Sequence, residues 1–302
     1  MPQRDPSEIN YLRIPRMSNV FVEGVKSLPD LLKLMASGKG LSKRQVDGLA
    51  DLVPQQLKSS PCFLDRRTGL WRYSFGSPLD GLSSCRVVFG THMYHPLDRL
   101  IDVLLCAKRR LSKEQLADYL KRIDDPNKHA DLIFEFAPVV RLPDDVQTAY
   151  EVVGYGEGAS NIDWLISSQE SPSLLLEVKH RTRDLLESLI KIDEDQRDSN
   201  GRALAPVHDI SLLFRNIEKK FLPRSSNEML QGAWICTDIK QEKEELRMAF
   251  AALDPQRIHF TVLGDFKDDV YVLCDDEKVR NYVLKVFQCS ESNRFVFSRS
   301  EG

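Results

Sequence analysis

The stretch NIDWLISSQESPSLLLEVKH, residues 161–180, reads as two strands joined by the polar turn SSQESPS. A turn centred at residue 170 places Asp163 opposite Glu177 in an antiparallel pair. Opposed residues share a face of the sheet and lie roughly 5 Å apart at Cβ. Side chains alternate along a strand, so Lys179 joins Glu177 on that face. Ile162, Trp164 and Ile166, with Leu174, Leu176 and Val178, then fall on the other face, where a core is expected. Charge inside such apolar strands needs a reason, because a polar group buried without a partner costs several kcal/mol.

Two carboxylates at that separation suit a hard divalent cation. Mg²⁺ takes one or two protein carboxylates and keeps its remaining positions for water and substrate phosphate; Mn²⁺ accepts the same oxygen ligands. The Val178 backbone carbonyl is a candidate further ligand. A lysine two residues from a ligand can orient or deprotonate an attacking water, or stabilise a negative transition state. With the metal lowering the pKa of bound water, this is the chemistry of phosphodiester hydrolysis. The expected roles are therefore Asp163, Glu177 and Lys179 as catalytic residues, with Asp163, Glu177 and Val178 around the metal.

These residues resemble the motif of the PD-(D/E)xK nuclease superfamily. Asp163 of NID and the Glu177–Lys179 pair of EVK match its acidic and D/E-x-K positions, with Ile162 standing where the family name has proline. The resemblance spans about residues 125–240. It implies a restriction-endonuclease-like α-β-β-β-α-β core, a divalent cofactor and action mostly on DNA. It also implies a further acidic ligand on the helix before the first core strand, a place matched by Glu135 in DLIFEFAP. The D/E-x-K pattern alone is weak, since Glu218–Lys220, Asp238–Lys240, Asp265–Lys267 and Asp276–Lys278 repeat it. Only Glu177–Lys179 lies in a strand that follows another strand bearing an acid on the matching face. The competing interpretation is an exposed edge hairpin with a cross-strand Asp–Lys pair, which would contribute little.

His180, Arg181 and Arg183 follow the triplet and are candidates for gripping phosphate, which Arg forks well. Arg215, Lys219 and Lys220 mark the charged side of a helix expected over 209–222, opposite Leu212, Leu213 and Ile217. Between Arg99 and Arg122, seven basic residues face three acidic ones, a stretch that could follow a phosphate backbone or simply coat an exposed helix. RRTGLWRYSFG (66–76) mixes Arg with aromatics as base-stacking surfaces do, although a small sheet with a basic face would look the same. Cys85, His92 and His95 lack a fourth ligand at useful spacing, so structural zinc is not expected. No GxxxxGK[ST] loop exists, which argues against nucleoside triphosphate hydrolysis.

Outward from the central stretch, strands are expected at 147–154, 161–167, 173–180, 232–238, 257–263 and 269–274. Helices are expected at 96–110, 112–123, 126–137, 183–192, 209–222, 241–252 and 276–288. Ser42 and the Ser112–Gln115 pair read as helix N-caps, the latter a capping box. Residues 1–95 form an N-terminal, mostly helical region of substrate- or partner-selecting role, and 96–302 the α/β domain with a mixed sheet flanked by helices. The 302 residues, 42% hydrophobic and 29% charged, suffice for a sizeable core.

The net charge of −3 does not announce a nucleic-acid binder, but a mean conceals patches. Six dispersed cysteines without a CxxC pair, no signal-peptide pattern, and no apolar run near the ~18 residues of a membrane span suggest a cytoplasmic protein. The expected partners are nucleic acid, chiefly DNA, and a protein bound through 1–95. A homodimer is plausible for a duplex cutter, and no membrane is involved. The alternative function is a nuclease-fold module that binds nucleic acid or protein without cutting.

Overall fold

The computed structural model describes residues 27–60, 62–65, 69–75, 94–158, 160–167, 172–181, 210–225, 229–237 and 240–298. The chain divides into two compact units, 1–101 and 102–302. That division falls inside a helix.

The first unit opens with helices α1 (Leu28–Gly38), α2 (Lys43–Asp51) and α3 (Gln55–Lys58). Ser27 caps α1, and Ser42 forms a full capping box with Gln45 at the start of α2. The stretch LSKRQVDGLADLVPQQL (41–57), which reads as one helix capped by Ser42, forms two, because Pro54 cannot donate an intrahelical bond and restricts the residue before it. Strands β1 (Cys62–Asp65), β2 (Leu70–Ser74) and β3 (Tyr94–Pro96) make a small antiparallel sheet. Tyr73 in the middle of it is buried against the His95 ring, which removes that aromatic from any base-stacking surface. Arg66, Arg67, Cys85 and His92 lie outside the described residues.

Helix α4 (Leu97–Arg110) crosses the division. The second unit continues with α5 (Lys113–Ile123), opened by the expected Ser112–Gln115 capping box, and α6 (His129–Glu135). Next come β4 (Gln147–Val152), β5 (Ile162–Ser167), β6 (Ser173–Arg181), α7 (Ile210–Glu218) and β7 (Met229–Thr237). The chain closes through β8 (Gln241–Glu242), α8 (Lys243–Ala251), β9 (Phe260–Gly264), β10 (Asp269–Leu273), α9 (Glu277–Val286), β11 (Ser290–Glu291) and β12 (Val296–Phe297). The expected helix over 183–192 lies outside the described residues.

Seven strands form one mixed sheet in the order β11-β10-β9-β7-β6-β5-β4. The pairs β4–β5, β5–β6 and β9–β10 are antiparallel, while β6–β7, β7–β9 and β10–β11 are parallel. The β5–β6 ladder pairs Trp164 with Leu176, Leu165 with Leu175 and Ile166 with Leu174. One step further, this register sets Asp163 against Glu177. Because β4 covers β5 and β7 covers β6, the hairpin is interior, and the exposed-edge interpretation of its charges is excluded.

A core lies on both faces of the sheet, not only on the one expected. On the first, Trp164 packs edge-on against Phe136 at 5.0 Å and donates through Nε1 to the Glu135 carbonyl at 2.7 Å. On the second, Leu175, Ala233 and Ile235 cluster with Ile210, Leu213, Phe214 and Ile217 of α7 and with Leu246 and Phe250 of α8. Each fully buried aliphatic side chain contributes about 1.5–3 kcal/mol. Leu212, expected on the apolar stripe of α7, is instead exposed, and Phe214 takes the inward place. The charged face of β6 is thus roofed by apolar helices, so its charges must find partners within the protein.

Candidate active site

Glu177 is fully buried. Its Oε1 accepts from Lys179 Nζ at 2.5 Å and from Lys220 Nζ. Its Oε2 is buried with no hydrogen-bond partner among the described residues. An orphaned, buried carboxylate oxygen is costly unless a ligand completes it.

Asp163 sits at the start of β5, and its Oδ2 accepts the Val178 N–H at 2.7 Å. Burial, then the neighbouring Glu177 and Glu135 carboxylates, raise its pKa well above the ordinary Asp range; Lys179 and the Val178 N–H only partly oppose this. Val178 itself presents a buried side chain, so only its carbonyl could serve a cation.

Burial alone would depress Lys179, but Glu177 and Asp163 outweigh it and its pKa is raised. Lys179 is therefore an ammonium, suited to positioning and charge stabilisation more than to accepting a proton.

Glu135 ends α6, and its Oε2 accepts from the Tyr150 hydroxyl at 2.5 Å. Tyr150 in turn accepts from Arg122 Nη2 at 3.1 Å, and Arg122 Nη1 bonds Glu151 at 2.6 Å. Burial leads the causes that lift the Glu135 carboxyl above its usual range. Glu151 has φ +51°, a left-handed conformation that is rare outside glycine and strained, and its position is absent from the β4–β5 register. The strain falls beside the residue that orients Glu135.

The other expected phosphate-binding residues separate. His180 lies on the opposite face of β6, stacked on Phe134 at 3.9 Å and 3.1 Å from Asp131. Strand alternation itself assigns that face, since His180 follows Lys179 by one residue. Arg181 shares the face of Glu177 and Lys179, and its Nη1 is buried without a partner among the described residues. Arg215 and Lys219 are exposed on and just beyond α7, and Arg183 lies outside the described residues.

Lys220 is not one more surface cation on a helix but part of the carboxylate cluster. It follows the end of α7, where the β4–β5 loop holds its backbone: Glu157 N–H donates to the Lys220 carbonyl at 2.8 Å and Gly156 bridges Phe221. A Cβ on Gly156 would meet the Ser160 carbonyl oxygen at 2.1 Å, so this close turn requires glycine. No local pattern ties residue 220 to residue 177. Tyr150 was more accessible to sequence reasoning, since alternation along QTAYEVV pairs it with Trp164.

Among the described residues, no group of three or more His, Cys, Asp or Glu side chains is gathered as a ready metal cage. The donors nonetheless fit a small hard cation at two carboxylates. Glu177 Oε2 lacks a partner among the described residues, Asp163 stands opposite Glu177 in the register, and a cation would offset the burial and the carboxylate repulsion that raise Asp163. Glu135, held by Tyr150, acts on Asp163 electrostatically as a third carboxylate. Also among the described residues, no helix is long and apolar enough to cross a membrane. No family model, curated protein or solved structure matches the chain.

Proposed function

We propose that this protein is a metal-dependent nuclease of the PD-(D/E)xK kind, acting on phosphodiester bonds, with DNA as its substrate. The observation that carries the reading is the buried Glu177, flanked by Asp163 and Lys179, with one oxygen left orphaned. An inert ion pair would not need a second carboxylate on the same face. The order α6-β4-β5-β6-α7-β7 supports the reading, because it is the helix and strand order the motif implies.

Asp163, Glu177 through Oε2 and the Val178 carbonyl would hold Mg²⁺ or Mn²⁺, which when bound polarises the phosphodiester and makes a coordinated water more acidic. Lys179, as an ammonium, orients the attacking water and balances charge on the phosphoryl oxygens. Lys220 shares Glu177 Oε1 with it, which leaves Oε2 as the oxygen that would take the cation. Tyr150 holds Glu135, and Arg181, on the same face as Lys179 with its Nη1 unpartnered among the described residues, would bind the substrate backbone.

The test is cleavage of linear, supercoiled and branched DNA, single strands and RNA with Mg²⁺ or Mn²⁺, comparing wild type with folded Asp163→Ala and Lys179→Ala. Metal-dependent cutting lost in both variants supports the proposal. Binding without cutting under either metal would overturn it in favour of a non-cutting module.

A further inference from the structure

A second site lies apart from the carboxylates, on the flank of α8 that carries Lys243, Arg247 and Ala251. A cavity of about 470 Å³ opens there between α8, the end of β10, α9 and β11. Across the ladder, Leu273 of this cavity lines up with Thr261, Ala233 and finally Glu177, with β7 and β9 between. Three inter-strand steps separate them by roughly 14 Å.

Three cations line the cavity, and they are unevenly committed. Arg280 is held in place by its Nη2 bond to the Cys274 carbonyl at 3.1 Å and stands 3.9 Å from Glu291, while its Nε is buried without a partner among the described residues. Lys243 and Arg247, one helical turn apart on α8, have no ion-pair or hydrogen-bond partner among the described residues. The Tyr271 hydroxyl also lacks a hydrogen-bond partner among the described residues and feels the Arg247 guanidinium, the Glu291 carboxylate and the Arg280 guanidinium. Of the two acids on the lining, Glu291 faces Arg280 and Asp275 is solvent-exposed. Phe250, Val272 and Leu273 supply apolar wall.

A fixed guanidinium, two uncommitted cations and a phenol beside an apolar wall make a recognition surface for a phosphate attached to a flat, apolar body. The volume lies within the range of small-molecule sites and suits one nucleotide. We propose that this cavity binds a phosphate monoester of mononucleotide size, free or as the terminal nucleotide of a strand, at a site independent of the carboxylate cluster. The proposal does not rest on the nuclease assignment.

The test uses the full chain in EDTA, so that no metal occupies the carboxylate site. Calorimetry and thermal melting would compare AMP, CMP, inorganic phosphate, adenosine and a 5′-phosphorylated trinucleotide. AMP or CMP should bind at least tenfold more tightly than phosphate, and adenosine should not bind. The Lys243→Gln/Arg247→Gln double variant should lose at least tenfold in affinity while melting as wild type without ligand and keeping any metal-dependent cleavage. Trinucleotide binding stronger than AMP assigns the site to strand ends; the reverse assigns it to free nucleotides. Adenosine binding as well as AMP, no binding by any phosphate-bearing probe, or unchanged affinity in the double variant would each overturn the proposal. Asp163→Asn separates the two sites, since nucleotide affinity should not change in it.

Discussion

Replacing Asp163 by Asn keeps an oxygen for the Val178 N–H and removes a charge that its surroundings disfavour. Active-site groups often trade stability for function. Asp163→Asn should therefore melt higher than wild type in EDTA, by a gain of about 1 kcal/mol, while losing cleavage. The pH dependence follows from the raised carboxyl. In metal-free protein the folded state holds the proton more tightly than the unfolded chain, so this group's stabilisation is present below the ordinary Asp range. It is lost as pH rises through the raised value. Melting temperatures taken against pH should show that fall flattened in Asp163→Asn. Lys220→Gln should lower kcat on the order of 10²-fold, the scale of one lost electrostatic contact, with KM little changed. An unaltered kcat would remove Lys220 from the site.

At the scale of elements, α6 and the β4–β5 loop each make a distinct prediction. His129, at the start of α6, is fully buried and donates through Nδ1 to the Ile123 carbonyl at 2.7 Å. Burial pulls its pKa down to about 4. A histidine that must stay neutral loses stability as pH falls from its unfolded value of ~6.5 through that lower value, by roughly 3 kcal/mol in all. Urea titrations at pH 7 and pH 4.5 should show a smaller loss in His129→Gln than in wild type. The β4–β5 loop positions Lys220 from a distance. Gly156→Ala should destabilise by about 1–3 kcal/mol through overpacking and should reduce cleavage, measured as kcat on protein confirmed folded.

For the molecule as a whole, a net charge of −3 means that affinity for a nucleic-acid backbone must come from local cations. Arg215 and Lys219, exposed on and beyond α7, are placed to supply it. Removing both should lower the slope of log K against log salt for duplex DNA by about 2, measured by fluorescence anisotropy; an unchanged slope would exclude them from the contact. The linear sequence determined the mixed helix-and-strand order, the Ser42 and Ser112 caps and the Asp163–Glu177 register, because capping, periodicity and hairpin pairing are local and carried by neighbouring residues. Only the tertiary structure decided that the hairpin is interior, that a core lies on both faces of the sheet, and that Lys220 and Tyr150 enter the site. Those contacts join elements far apart in the chain: residue 220 meets residue 177 only because α7 folds back over β6 and the β4–β5 loop pins the turn after it. Periodicity says which way a side chain points from its own element, but burial and charge pairing depend on what the fold lays against that face.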